Sequence, residues 1–214
     1  MVISIDGMSA AGKSTLAFDL AKKLNLKYLN SGSIYRCIAL KVMNNEIDIN
    51  DINLENKIEN INIDFEITGD IQKVYLDGND VTDIIRLENV SVFTPKIANN
   101  KIIKPAIRKI QKKFVDNGNV VIEGRDIATR IAPNANYKFY IHSTLEKRTE
   151  RLYNELKNKQ EVTYEQIYND LKNRDIKDIE DGNFIKPDNA IEIDTTNLTL
   201  EESLEKMLSY IKEQ

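Results

Sequence analysis

The segment from Val2 to Thr15 constrains the fold of this 214-residue chain more than any other. A short apolar run leads into the sequence GMSAAGKST, and an amphipathic segment follows at once. Gly7, Gly12, Lys13 and Ser14 match the pattern G-x-x-x-x-G-K-[ST], whose glycines let backbone amides turn toward a phosphate chain. In this pattern the lysine reaches the β- and γ-phosphates and the serine holds Mg²⁺. The segment therefore predicts a strand, a phosphate-binding loop and a helix, with a nucleoside triphosphate as ligand.

The rest of the chain alternates apolar runs with segments of helical period. Five runs are typical of strands buried in a parallel sheet, at residues 2–5, 28–29, 120–122, 137–141 and 190–193. Apolar residues at three- and four-residue steps predict helices around residues 16–24, 103–114, 164–171 and 200–211. Capping boxes predict three helix starts, formed by Ser143 with Glu146, Thr163 with Gln166, and Thr199 with Glu202. This alternation predicts a three-layer α/β fold around a parallel sheet.

Residues 63–83 break the alternation. Their side chains alternate between apolar and polar, which is the period of a strand, and the turn signals TGD at 68–70 and DGN at 77–79 separate the runs. We expect a small antiparallel insert on the α/β body.

The composition favours a soluble, globular protein. Hydrophobic residues make up 41% of the chain, and no apolar stretch has the length of a membrane span or the form of a signal peptide. The net charge of −4 argues against a nucleic-acid-binding protein, which needs a concentrated basic surface. The single cysteine, Cys37, cannot form an internal disulfide and is interpreted as a packing residue. We expect a cytoplasmic monomer whose partners are small molecules.

Transfer of a phosphoryl group between two anionic molecules requires cations that neutralise the transition state. Candidates beyond the loop are Arg36 in SGSIYR, Arg125 with Asp126 in EGRD, Arg148 with Arg151 on one helix, and Arg174 at a predicted helix end. The EGRD residues follow an apolar strand, and open α/β sheets bind ligands at the carboxyl ends of their strands. Each arginine alone is as easily a solvated surface charge. Their combination with the loop favours a site for phosphate transfer.

These segments together resemble the bacterial cytidylate kinases, in the nucleoside monophosphate kinase superfamily. The resemblance covers nearly the whole chain and is carried by IDGMSAAGKST, LNSGSIYR, DGNDVTDIIRLENVS, EGRDIATRIAPNA, RDIKD and AIEIDTT. The stretch DG-x-DVT-x-x-IR is its most specific part, because this family has an enlarged insert in its monophosphate-binding region there. The resemblance implies a single P-loop kinase domain over residues 1–214, with a monophosphate-binding region at about 30–105 and a helical lid at about 153–182.

The resemblance also implies a reaction, the reversible transfer of the γ-phosphate of ATP to CMP or dCMP with Mg²⁺. ATP would contact the loop and two helix arginines, namely Gly7, Met8, Ser9, Ala10, Ala11, Gly12, Lys13, Ser14, Thr15, Arg148 and Arg151. The acceptor would contact Ser31, Gly32, Arg36, Lys104, Arg125, Asp126, Arg174 and Asp178. Within this set the resemblance implies that Arg36 and Arg125 hold the acceptor phosphate and that Asp126 contacts the cytosine. Arg174 and Asp178 would contribute to sugar binding and to the lid. The implied catalytic residues are Lys13, Arg36, Arg125 and Arg174.

Several positions depart from the family pattern. Asn30 stands where the family usually has aspartate, which removes a carboxylate beside the acceptor site. Pro95 and Lys104 stand where the family has a cytosine-contacting serine and an arginine, although Thr94 lies next to Pro95. Asp181 replaces a second lid arginine, and a carboxylate there would repel a phosphate.

Two alternatives remain open, and the departures favour the first of them. The first is a kinase of the same fold for another small acceptor, such as UMP, another monophosphate or a hydroxylated metabolite. The second is a module that binds a nucleotide without transferring its phosphate.

Overall fold

The computed structural model describes residues 1–182 and 184–212. Its strands are β1 (Val2–Gly7), β2 (Lys27–Asn30), β3 (Ile63–Thr68), β4 (Ile71–Leu76), β5 (Asn79–Asp80), β6 (Val120–Gly124), β7 (Tyr137–His142) and β8 (Ile191–Asp194). Its α-helices are α1 (Lys13–Leu24), α2 (Ser31–Met43), α3 (Leu54–Glu59), α4 (Glu88–Ala98), α5 (Ile103–Asp116), α6 (Leu145–Leu156), α7 (Tyr164–Glu180) and α8 (Leu200–Lys212).

One parallel sheet forms the centre of the molecule, with the strand order β2-β6-β1-β7-β8. Each of the predicted strands is confirmed, with bounds that shift by one or two residues. Because the strands are parallel, the carboxyl ends of β1, β2 and β6, at Gly7, Asn30 and Gly124, lie along the same edge of the sheet.

Helices cover both faces of this sheet. On one face α1 and α8 pack against Ile3, Ile5 and Phe139. On the other face α2 and α5 pack against Val120 and Ile122. This arrangement confirms the three-layer α/β fold. Every helix in the described part of the chain is too short or too polar to serve as a membrane span.

The insert is also confirmed, as an antiparallel sheet of β3, β4 and β5. Its turns contain Gly69 and Gly78 at φ +63° and +84°, in the left-handed region that favours glycine. The side chain of Gln72 is buried and donates a hydrogen bond to the carbonyl of Tyr28 at 2.7 Å. The insert is therefore fastened to β2, the outer strand of the parallel sheet.

Two of the predicted capping boxes, at Thr163 and Thr199, are confirmed. The box at Ser143 is wrong, because Thr144 caps α6 instead, and its hydroxyl accepts a hydrogen bond from the amide of Lys147 at 3.2 Å. Ser143 and Thr144 each have a hydroxyl that could cap the helix, and α6 begins one residue later than predicted, so that Thr144 is the cap.

Two further expectations concern single residues. Arg174 does not end its helix, because RDIKD contains no helix breaker and α7 continues to Glu180, just before Gly182 at φ +60°. Cys37 lies fully buried in α2, and burial raises the pKa of its thiol to about 12, as suits a packing residue.

Candidate active site at the carboxyl edge of the sheet

The predicted phosphate loop connects the end of β1 to the start of α1. Gly7 packs so closely against the carbonyl of Ile141 that a side chain would collide with that oxygen. Gly12 precedes α1 at φ +88°, and Ala10 also has a positive φ of 58°. A non-glycine residue in this conformation is uncommon and marks a backbone held by its surroundings. The loop thus presents its amides beside the positive end of α1, where anions bind.

Lys13 folds back over this loop. Its Nζ donates a hydrogen bond to the carbonyl of Met8 at 2.5 Å. Burial lowers the pKa of this ammonium group to about 8, because the charged form is poorly solvated there. The carboxylates of Glu123 and Asp6 oppose this shift, and a polyanion in the loop would oppose it further.

Ser14 points to a carboxylate that the sequence reasoning missed. Its Oγ donates to Oε1 of Glu123 at 2.6 Å, and the hydroxyl of Tyr28 donates to the same oxygen at 3.0 Å. Glu123 is only 4% exposed at the end of β6, next to β1 in the sheet. The serine and carboxylate oxygens are hard ligands of the kind that Mg²⁺ prefers, so this pair fits the ion that the loop motif implies.

Asn30 completes the surroundings of Glu123. Its Oδ1 accepts from the amide of Ser33 at 3.0 Å and caps α2, while its Nδ2 donates to Oε1 of Glu123. An aspartate here could cap the helix but would set a second carboxylate against Glu123. With asparagine at this position, the contact with Glu123 is a hydrogen bond.

The implied catalytic cations, on four different parts of the chain, come together beside the loop. Burial lowers the pKa of Arg36 first, and the charge of Arg174 lowers it further. Burial and then Arg174 likewise lower the pKa of Arg125, and both Arg125 and Arg174 act on Lys13. Positive charges that destabilise one another in this way form a site suited to an anionic ligand.

Arg125 lies between the loop and α7. Its Nη2 donates to the hydroxyl of Ser9 at 3.0 Å, and its Nη1 forms an ion pair with Asp178. Asp178 is 7% exposed, and burial raises the pKa of its carboxyl. Asp178 is thus paired with Arg125, whose guanidinium group would bind the acceptor phosphate according to the resemblance.

A second arginine joins the loop to α7. Arg148 donates through Nη1 to the carbonyl of Ser9 at 3.1 Å and pairs through Nη2 with Asp175 at 2.7 Å. One oxygen of Asp175 and one of Asp178 are buried without a hydrogen-bond partner among the described residues. Such oxygens can accept hydroxyl groups of a bound nucleotide.

Arg151 reaches a different loop. It donates to the hydroxyl and carbonyl of Thr195, at 3.1 and 2.5 Å, and thereby holds the connection between β8 and α8. The Thr195 hydroxyl in turn lies 3.4 Å from the carbonyl of Ala11. Arg151 therefore supports the segment next to the phosphate loop, and its own contact with ATP stays a prediction.

Asp126 lies in a separate group of charges. Its Oδ2 is 3.2 Å from Nη2 of Arg108 and 3.3 Å from Nε of Arg130. Burial lowers the pKa of Lys104, with further lowering from Arg108, and the carboxylates of Asp126 and Asp181 oppose this. Sequence reasoning did not select Arg108, because one arginine on an amphipathic helix looks like a solvated charge.

Buried Asp6 fixes the segment that carries these residues. Its two carboxylate oxygens accept the amides of Ile127 and Ala128 at 2.7 and 2.8 Å. Burial raises the pKa of this carboxyl to about 6. The pair of hydrogen bonds anchors the turn after β6 to the end of β1.

The remaining residues discussed as acceptor contacts in the sequence analysis lie near the start of α2 and on α4. Ser31 is buried at the N-terminus of α2, beside Gly32, and its Oγ has no hydrogen-bond partner among the described residues. Thr94 donates its hydroxyl to the carbonyl of Val90 at 2.7 Å within α4. This hydroxyl is therefore engaged in its own helix, and Pro95 offers none.

Comparison with known proteins identifies the family. The model of the cytidylate kinase family matches residues 3–213. A cytidylate kinase from Fusobacterium nucleatum subsp. nucleatum is 39% identical over 206 residues, covering 94% of this chain and 93% of its own. One from Caldanaerobacter subterraneus subsp. tengcongensis is 39% identical over 213 residues, covering 98% and 94%.

Solved structures support the fold. A shikimate kinase from Bacteroides thetaiotaomicron superposes with a TM-score of 0.52 at 12% identity, covering 99% of this chain and 98% of its own. A gluconokinase from Sinorhizobium meliloti 1021 superposes with a TM-score of 0.50 at 12% identity, covering 100% and 96%. At such identities the likeness concerns the fold alone. The family match over nearly the full length, together with the loop and the cations beside it, shows that this chain belongs to the cytidylate kinase family.

Proposed function

We propose that this protein transfers the γ-phosphate of ATP to CMP or dCMP, giving ADP and CDP or dCDP, with Mg²⁺. The observation that carries the proposal is the convergence of Lys13, Arg36, Arg125 and Arg174 beside the phosphate loop. Four cations beside the backbone amides of the phosphate loop are suited to bind two phosphate-bearing molecules at once, a donor and an acceptor. The names of the relatives supply the cytidine nucleotide.

The chemistry assigned to these residues is direct in-line transfer. Lys13 holds the β- and γ-phosphates, and Arg36 with Arg125 places the acceptor phosphate. Ser14 with Glu123 would hold the Mg²⁺ ion, which neutralises phosphate charge when bound. A general base is unnecessary, because an oxygen of the acceptor monophosphate is already ionised at neutral pH.

Helix α7 forms the main part of the implied lid at residues 153–182. Asp178 leaves Arg125 when the acceptor phosphate arrives, and a buried carboxylate oxygen becomes available to a sugar hydroxyl. Arg174, on the same helix, then adds its charge to the transferred group. Closure of α7 over the loop excludes water, which would otherwise accept the phosphate.

Asp126 supplies the choice of base. A carboxylate oxygen accepts a hydrogen bond from the amino group at position 4 of cytosine, whereas it repels the carbonyl oxygen at the same position of uracil. Buried groups that must pair with one particular partner discriminate strongly against a molecule that lacks it. This role distinguishes a cytidylate kinase from a kinase for other acceptors.

An acceptor panel tests the function. A coupled assay measures the rate of ADP release. This rate should be high with CMP and dCMP and lower by about tenfold or more with UMP and AMP. A few small alcohols serve as controls for acceptors without a phosphate. Faster turnover with UMP or an alcohol would support a kinase for another acceptor, and ATP binding without transfer would support a non-catalytic module.

The pKa of Lys13 predicts a pH dependence of ATP binding. The ammonium form binds phosphates, and the ligand-free pKa is about 8, so kcat/KM for ATP should fall as the pH rises above this value. Between that pH and the ordinary lysine value, ATP should bind with uptake of a proton. Calorimetric titration at pH 8.5 in buffers of different ionisation enthalpy measures this uptake. The Lys13→Arg variant is the control, because arginine keeps its proton throughout this range; uptake that persists in this variant would contradict the assignment.

We also propose that the enzyme acts in the cytoplasm as a monomer. A buried free thiol at Cys37 suits a reducing compartment, and small nucleotides are the partners that the site fits. Light scattering coupled to size-exclusion chromatography gives the oligomeric state.

A further inference from the structure

Arg108 contacts Asp126, the residue to which the proposed function assigns the choice of base. It is on α5, one helical turn after Lys104, and its side chain is 24% exposed. We propose that Arg108 is a specificity-determining positioning residue, which holds the carboxylate of Asp126 so that this carboxylate selects a 4-amino pyrimidine over a 4-oxo pyrimidine. The inference rests on the proposed function, since it concerns the acceptor of that reaction.

The carboxylate of Asp126 is held through one of its two oxygens. Nη2 of Arg108 donates to Oδ2 of Asp126 at 3.2 Å, and Nε of Arg130 lies 3.3 Å from the same oxygen. Hydrogen bonds among the described residues do not use Oδ1. Two guanidinium groups contact one oxygen of Asp126 and leave the other oxygen as an acceptor. An oxygen acceptor at this position binds the amino group of an incoming base and repels a carbonyl group.

Arg108, rather than Arg130, determines the orientation of this carboxylate. The buried Nε of Arg130 makes no aligned hydrogen bond among the described residues, so its contact with Asp126 is an ion pair without direction. Arg130 also donates through Nη2 to the carbonyl of Gly182 at 3.4 Å, beyond α7. Arg108 makes the directional bond, and it comes from a different element of the fold. The bond from Arg108 connects α5 to the turn after β6 and can therefore fix the position of the Asp126 carboxylate relative to the rest of the fold. The Arg130 contact lies within the turn and cannot do so.

Lys104 is the neighbouring cation on α5. Lys104 lies one turn before Arg108, and Arg108, Asp126, Arg130 and Asp181 all act on its ammonium group. An ammonium group is a point charge, whereas a guanidinium group is a planar fork that can bind two acceptors at once. Arg108 therefore brings to this pocket the planar group that position 104 lacks.

The test compares CMP with UMP in single variants. Arg108→Met should raise KM for CMP about tenfold or more and reduce the ratio of kcat/KM for CMP to that for UMP by a similar factor. KM for ATP should stay within about twofold, because Arg108 has no contact with the phosphate loop. Lys112→Met is the matched control, since it removes an exposed cation one turn further along α5 and should change neither value. Thermal unfolding of each variant establishes that it is folded.

The decisive measurement is a double-mutant cycle. If Arg108 acts through Asp126, Arg108→Met should reduce the CMP-to-UMP ratio in the native background and have little further effect in an Asp126→Asn background. Additive effects, or equal losses for CMP and UMP, would show a structural role and overturn the inference. If the native enzyme prefers CMP and the Arg108→Met variant shows the same preference, the inference about Arg108 is overturned but the proposed function is not. A native enzyme inactive with every pyrimidine monophosphate would overturn the proposed function and the inference with it.

Discussion

The Lys13→Ala variant should lose at least about three orders of magnitude in kcat while it remains folded. Lys13 is the cation that belongs to the phosphate loop itself, with Nζ within hydrogen-bond distance of the carbonyl of Met8. Charge that develops on the transferred phosphoryl group would then lose its nearest partner in a buried site, where electrostatic interactions are strong. Arg125 and Arg148 also contact Ser9 of the loop, but they are paired with Asp178 and Asp175 of α7.

Steady-state and single-turnover assays with ATP and CMP measure this loss. The matched control is Lys22→Ala, which removes an exposed lysine from the same helix, where it pairs with Asp70 at 2.5 Å. Stability should not fall in Lys13→Ala, because burial already holds the pKa of the ammonium group at about 8 and its removal relieves that cost. A folded variant with most of its turnover would reject the assignment of Lys13.

The Arg125→Met variant should lose roughly 10²- to 10³-fold in kcat/KM for CMP, while KM for ATP changes little. The guanidinium group of Arg125 touches Ser9 of the phosphate loop and Asp178 of α7, so it lies between the loop and the proposed acceptor site. Its loss removes a charged partner of the acceptor phosphate both in the bound state and in the transition state. We therefore expect a higher KM for CMP together with a lower kcat.

This substitution also leaves the buried carboxylate of Asp178 without its partner, which can destabilise the fold. The double variant Arg125→Met/Asp178→Asn removes both charges and separates the two effects. If the loss of activity persists in the double variant with normal thermal stability, Arg125 acts on the acceptor. Recovery of activity in the double variant would instead mean that the single variant suffered from an unpaired Asp178.

Local sequence signals predicted the loop and the strands because the determinants are adjacent in the chain. A phosphate loop needs glycines and a lysine at set positions, and a buried parallel strand is a continuous apolar run. The order β2-β6-β1-β7-β8 depends on pairings across about a hundred residues, and nothing local encodes it. The insert was recognisable for the same reason as the loop, since its turns and alternating strands are contiguous.

The site was predictable in part. Arg36 and Arg125 follow strands that the sequence identifies, and parallel strands end at a common edge. Glu123 was missed because one acidic residue after an apolar run marks the end of a strand as readily as a ligand. Arg108 and Asp126 are 18 residues apart, and only the packing of α5 against the turn after β6 brings them together.

The insert has a consequence for solubility. The outer strand of an open sheet exposes backbone groups to which another polypeptide can add, and β2 is such a strand. Gln72 already occupies the carbonyl of Tyr28, and the β3–β4 hairpin lies alongside. Deletion of residues 63–83 would expose the edge of β2. We expect a chain with this deletion to aggregate even while its phosphate loop stays folded.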